Sequence, residues 1–210
     1  MSESREHKHE GDEMSPLTDI EKRVRALETV LVSKGYVEQD VLDLVIEHFE
    51  TKVGPHIGAK VIARAWSDDS FRKELLDDAT KAINSQPDFP RIGHHLVAVE
   101  NTIACHNVVV CTLCSCYPWD VLGLPPVWYK SAPYRSKVVI EPRSVLEEFG
   151  LVLDREIAIR VWDSTAETRY LVIPQRPEQT EGFTEDQLAA LVTRDSMIGT
   201  GLVVPPGSGE

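Results

Sequence analysis

The stretch Val108-Val109-Val110-Cys111-Thr112-Leu113-Cys114-Ser115-Cys116-Tyr117-Pro118-Trp119 runs three β-branched residues straight into three cysteines spaced C-x-x-C-x-C. The valines read as the end of a strand, so the cysteines begin where that strand stops. Thiols at i, i+3 and i+5 converge on one point only if the backbone between them folds into a claw. Such a claw carries the intervening peptide nitrogens toward the same point. Soft thiolates select transition metals, and a deprotonated amide nitrogen is a strong-field ligand that favours a trivalent ion. The motif therefore reads as a metal site.

Other metal chemistries use fewer of these residues. A structural zinc wants a fourth soft ligand in a second paired motif, and Cys105 and His106 lack standard spacing to the cluster. An iron–sulfur cluster also wants four cysteines. A redox pair of Cys111 and Cys114 leaves Cys116 without a role. Three thiolates with two main-chain nitrogens give five ligands from one loop and leave a sixth octahedral position open. Cys105 stands apart and reads as a small buried residue near a strand end.

Outward from the claw the chain divides into a helical first part and a sheet-bearing second part. Residues 1–15 are charged, hold His7 and His9, and read as a disordered tail. From Pro16, Thr18-x-x-Glu21 is a capping box and Ile20, Val24, Leu27 and Leu31 recur at helical spacing, with Gly35 as the stop. Val41, Leu44, Val45 and Phe49 give a second helix ending near Gly54-Pro55, and this first pair is suited to project as an arm over a partner. Gly58 to Trp66 and Phe71 to Ile83 predict two more helices, so 16–85 is a helical region.

Residues 86–210 read as the metal-binding domain. Leu96 to Val99, Val108 to Val110, Ile157 to Trp162 and Arg169 to Ile173 predict strands, the last two joined by a turn. Pro142 to Phe149 predicts a short helix, and Thr184-x-x-Gln187 caps a final helix running to about Arg194. The class is α+β: a helical arm, then a small mixed-sheet domain with flanking helices and the cysteine loop.

Composition narrows the function. With 22 Lys+Arg against 34 Asp+Glu, the formal net charge is −12, which disfavours nucleic acid or an anionic membrane as partner. The chain holds no apolar run of the roughly 20 residues a membrane helix needs, and its polar start is unlike a secretory leader. Cysteines clustered in this way do not make a disulfide framework. A cytoplasmic protein is expected. No Ser-His-Asp pattern, phosphate loop or H-E-x-x-H helix is present.

The claw and its surroundings resemble the α subunit of nitrile hydratase. The resemblance rests on Cys111 to Trp119, Leu122-Gly123-Leu124-Pro125-Pro126-x-Trp128-Tyr129-Lys130 and Tyr134-Arg135-Ser136. It continues through Ile159-Arg160-Val161-Trp162-Asp163, Thr168-Arg169-Tyr170, Gln175-Arg176-Pro177 and Arg194 to Gly199, with Gly58 to Val61 and Ala63-x-Ala65-Trp66 upstream. It spans about residues 16–202. It implies hydration of nitriles to amides at a low-spin trivalent metal, active only with a β subunit, in an αβ or α2β2 assembly loaded by a metal-insertion activator. It implies that Cys111 is the axial thiolate and that Cys114 and Cys116 are oxidised to sulfinic and sulfenic acid. The backbone nitrogens of Ser115 and Cys116 would complete the equatorial plane, and either water or the Cys116 sulfenate would attack the nitrile carbon.

Within the resemblance, Thr112 goes with the cobalt type, where serine goes with iron; cobalt(III) is expected ahead of iron(III). Trp119 corresponds to an aromatic wall of the substrate pocket. Arg160 and Asp163 fall on matching segments and are candidates to hold the site or the partner interface. The related thiocyanate hydrolase shares the claw but tends to carry a basic residue where this chain has Trp119, which favours an uncharged nitrile here. A non-enzymatic metal or redox module is the remaining alternative. Two departures stand out: Asp120 replaces a usual proline, and Ile92 occupies the place of a glutamine often found near the site. His94-His95 reads as surface loop, with an interface role as the alternative.

Overall fold

The computed structural model describes residues 19–47 and 54–204. The tail, its histidines, Thr18 of the capping box and Phe49 lie outside them. Contacts along the chain divide it into two compact units, 1–46 and 47–210.

In the first unit, α1 (Asp19–Ser33) and α2 (Gln39–Glu47) form a helical pair. Gly35 sits at φ 68°, and the amide of Tyr36 returns to the Leu31 carbonyl at 3.0 Å. That left-handed closure ends α1 at the predicted glycine. Ile20, Val24 and Leu27 on α1, and Leu44 and Val45 on α2, are exposed.

The second unit opens with α3 (Pro55–Ser67), which starts earlier than periodicity predicts because Pro55 fits the first helical turn. The expected helix from Phe71 to Ile83 is instead two, α4 (Asp69–Asp77) and α5 (Ala79–Asn84). Asp78 leaves helical geometry at φ −150°, ψ 94° and accepts from the Lys81 amide at 2.9 Å, so an acidic cap breaks a run whose apolar spacing looked continuous.

Four strands follow the α+β expectation: β1 (His95–Glu100), β2 (Cys105–Val110), β3 (Ala158–Asp163) and β4 (Thr168–Ile173). They form two two-stranded parallel sheets, β1 with β4 and β2 with β3. The turn between β3 and β4, predicted from sequence, joins strands of different sheets rather than a hairpin. Parallel pairing explains why β2 is buried over five consecutive residues from His106 to Val110, since helices cover both faces of such sheets. Helices α4 and α5 lie on β1, while a later helix over Arg194–Ile198 lies on β4.

Between β2 and β3 the chain forms α6 (Trp119–Leu122), a 3-10 turn (Val127–Lys130), α7 (Ala132–Lys137) and α8 (Pro142–Glu148). The predicted final helix is shorter than expected. Thr184 caps α9 (Glu185–Ala189) with its full box, and a second box at Thr193 starts α10 (Arg194–Ile198) where the sequence predicts the end of the final helix. Cys105 opens β2 and is only half-buried, against the expected burial.

A buried polar knot locks β2 to β3 and α10. Asn101 Oδ1 accepts from the Asn107 amide at 2.7 Å and its side chain at 3.0 Å, so Asn101 turns its amide nitrogen to His106 Nδ1 at 3.2 Å. His106 Nε2 then donates to the Gly199 carbonyl at 2.7 Å, and Trp162 Nε1 donates to Asn107 Oδ1 at 2.8 Å. This pattern needs a neutral ring, and burial depresses the His106 pKa while the Gly199 carbonyl opposes that shift. The unfolded chain takes up the proton first, near 6.5, so the stabilisation is complete above that pH and is lost as pH falls toward the folded value. Urea titrations between pH 8 and 5 are expected to show a steeper loss of stability in the wild type than in His106→Gln. His94, also depressed by burial, titrates in both proteins and leaves the difference to His106.

Candidate metal centre

The claw begins at the last residue of the β2–β3 ladder. Val110 stands opposite Asp163, and the Ser164 amide donates to the Val110 carbonyl at 2.7 Å. Past Val110 the chain leaves the sheet, and Cys111, Cys114 and Cys116 gather until their three sulfurs lie within 4.8 Å of one another. Cys111 is fully buried and forms the floor, Cys114 is exposed, and Cys116 is half-buried. The Sγ–Sγ distances are 3.5 Å for Cys111 to Cys114 and 3.2 Å for Cys114 to Cys116. Cys105 is outside this cluster.

The backbone of the claw is tied outward. Arg135 Nη1 donates to the Cys114 carbonyl at 3.1 Å, and the buried Tyr129 hydroxyl donates to the Cys116 carbonyl at 2.9 Å. A trans peptide points its nitrogen opposite its carbonyl oxygen. Arg135 therefore turns the Ser115 nitrogen away from itself, and the Ser115 and Cys116 amides both face the Cys114 sulfur. The Thr112 amide is excluded from this group because it donates to Asp163 Oδ1 at 2.9 Å. Three sulfurs and two amides thus fit a transition ion that takes soft sulfur with strong-field nitrogen.

The sulfurs share protons unequally. Hydrogen bonds from Cys116 and Cys111, then the Ser115 amide, lower Cys114 to about 7. Burial and the donation to Cys114 push Cys116 up to about 12, against the field of Arg169. Cys114 is thus the most readily ionised of the sulfurs near neutral pH, and an exposed thiolate is the form that oxidises most readily.

The other predicted residues distribute as follows. Asp163 meets the claw directly, its Oδ2 accepting from the Thr112 hydroxyl at 2.5 Å. Arg160, three residues earlier on β3, is exposed and makes no hydrogen bond or ion pair among the described residues. Trp119 opens α6 with 43% of its surface exposed, three residues past the last sulfur. Asp120 is engaged rather than idle, 3.2 Å from His94 Nδ1. His94 is accordingly half-buried, and burial is the main cause of its lowered pKa. Ile92 belongs to the core, with its backbone clamped on both sides by Asn84 at 2.8 and 3.0 Å. Tyr129, Arg135 and Arg169 were given no roles by sequence reasoning, although all three lie in segments that carry the resemblance.

Comparison with known proteins agrees with this geometry. The family "Nitrile hydratase, alpha chain" matches residues 18–201. The low-molecular weight cobalt-containing nitrile hydratase subunit alpha of Rhodococcus rhodochrous is 53% identical over 188 residues, 90% of this chain and 91% of that one. The thiocyanate hydrolase subunit gamma of Thiobacillus thioparus is 40% identical over 205 residues, 92% of this chain and 83% of that one. Among solved structures, a double mutant of the iron-type nitrile hydratase from Comamonas testosteroni Ni1 superposes with a TM-score of 0.80 at 41% identity, covering 89% of this chain and 91% of that chain.

Proposed function

The chain belongs to the nitrile hydratase alpha-chain family, and on that footing we propose that it is the metal-bearing subunit of a nitrile hydratase. The observation that carries the proposal is the claw itself: three sulfurs within 4.8 Å, with the Cys114 carbonyl between them tied outward by Arg135 and the Cys116 carbonyl at the exit held by Tyr129. We assign Cys111, Cys114 and Cys116 as sulfur ligands and the Ser115 and Cys116 amides as nitrogen ligands. Cobalt(III) is the proposed ion, supported by Thr112 and by cobalt-containing relatives at about half identity; the iron-type structural neighbour keeps iron(III) as the second choice.

When bound, such an ion supplies Lewis acidity toward a nitrile and water. The chain supplies the rest. Cys111 would anchor the ion from the buried floor, and Cys114 and Cys116, once oxidised to sulfinic and sulfenic acids, would present oxygens toward the substrate. Water or the Cys116 oxygen serves as nucleophile at the nitrile carbon, and net addition of one water across the triple bond gives the amide. Trp119 walls the approach.

A β subunit is the proposed partner, in an αβ or α2β2 assembly, with an activator for metal insertion. Its support is the exposed apolar side chains in the claw and the segments just after it: Leu113 is 88%, Trp119 43% and Val127 86% exposed, and large apolar exposure marks interaction surfaces. We assign the exposed Arg160 to the partner interface. Among the described residues no helix is long and apolar enough to cross a membrane, and clustered free thiols suit a reducing compartment; we place the enzyme in the cytoplasm.

Thiocyanate hydrolysis is the second reading, favoured by the Arg169 guanidinium near Cys116, a cation suited to an anionic substrate. The exposed Trp119 ring favours the nitrile. The test is intact mass with elemental analysis on the chain co-expressed with its β partner and cobalt, followed by rates on acrylonitrile and thiocyanate. One cobalt per chain, two oxygens on Cys114, one on Cys116 and faster acrylonitrile turnover are expected. Zinc or no metal with unmodified thiols would leave a redox module, and faster thiocyanate turnover would give the second reading.

A further inference from the structure

We propose that Asp163 is a positioning residue that sets the claw into its ligand-gathering shape before any metal arrives, acting through both the amide and the hydroxyl of Thr112. Its two carboxylate oxygens divide the work. Oδ1 takes the Thr112 amide at 2.9 Å and Oδ2 takes the Thr112 hydroxyl at 2.5 Å. A carboxylate accepting two donors from one residue fixes that residue's backbone and its χ1 together.

The sheet delivers the carboxylate to this point. Trp162, one residue earlier on β3, is held by its hydrogen bond to Asn107 Oδ1, two strand positions before Val109. The ladder then pairs Val110 with Asp163 in the last register position, and the Ser164 amide closes onto the Val110 carbonyl. A slip of one residue would turn Asp163 to the opposite face of β3. The register thus carries the carboxylate to the first residue beyond Cys111, and the turn that follows brings the Cys114 amide back to the Cys111 sulfur at 3.3 Å.

Thr112 consequently faces away from the sulfurs. Its hydroxyl acts on the metal loop through Asp163 and not as a ligand, so its association with one metal type need not involve coordination. Serine keeps the donor; valine keeps the shape and loses it.

The proposal rests on the claw reading, but its first test is made on the metal-free, full-length chain and can fail while the metal reading stands. Amide hydrogen exchange would be followed at Leu113 to Cys116 in Asp163→Asn, Thr112→Val, their double variant and Thr112→Ser, with β1 and β4 as the internal fold control. A carboxylate bond at an exposed site is weakened by solvent, so each single variant is expected to speed claw exchange by at least about three-fold. The double variant should be no faster than the faster single, and Thr112→Ser should match the wild type. The second readout is cobalt lost to a chelator from the loaded αβ complex, faster in the same three variants and unchanged in Thr112→Ser. Multiplying effects in the double variant, an unaffected claw in Asp163→Asn, or a Thr112→Ser as fast as Thr112→Val would each overturn the proposal. If Asp163→Asn also loosens β1 and β4, the surface substitution Thr112→Val decides alone.

Discussion

Replacing Cys111 with serine is expected to empty the metal centre and to lower nitrile hydration by more than about a hundred-fold, beyond the 10–100-fold that loss of an outer-shell partner costs. Of the three sulfurs, Cys111 is the fully buried one, and it receives the Cys114 amide at 3.3 Å. A serine hydroxyl fits the same space but stays protonated near neutral pH and offers a hard oxygen where a soft thiolate is wanted. The new hydroxyl costs on the order of 1–2 kcal/mol of stability in an apolar floor, too little to unfold the chain. Cobalt content of the αβ complex and amide formation are the readouts, with far-UV circular dichroism as the fold control. Full cobalt retention would remove Cys111 from the ligand set.

Gly199→Ala is expected to destabilise the chain by more than about 4 kcal/mol, a loss that point mutants reach only through a definite steric or polar fault. Gly199 ends α10 at φ 93°, and an added Cβ would lie 1.9 Å from the Asn107 carbonyl oxygen and 2.9 Å from the Val108 Cα. Those are backbone atoms of β2, which cannot swing aside like a flexible side chain. Relief requires α10 to lift from β2, which breaks the bond from His106 to the Gly199 carbonyl. Gly150→Ala is the control: at φ 81° with nothing within 4 Å of its Cβ, it carries only the left-handed penalty of about 1–2 kcal/mol. Chemical denaturation of both would measure the difference. Equal losses would show that α10 moves freely at this contact.

Local signals in the sequence were read well where one residue or one short pattern decides the geometry. Gly35 ended α1, Pro142 began α8, and Thr184 with Gln187 made the capping box on α9. They failed where a polar cap competes with an apolar rhythm. Asp78 divides α4 from α5, and Thr193 starts a new helix, because a side-chain oxygen bonding a free amide outweighs continuity of spacing. Strand pairing was not legible either. Four strands of similar length give no local sign of partner, and only the packing of the whole unit places β4 beside β1 and β3 beside β2.

The sequence by itself determined that three thiols meet, because C-x-x-C-x-C leaves a short loop few other compact shapes, and it determined the family through long matching segments. Only the tertiary structure decided how the claw is held. Asp163, Arg135 and Tyr129 lie between 13 and 51 residues from the atoms they bind. Their roles arise from strand register and burial, which depend on the whole fold and leave no mark in the spacing of any one segment.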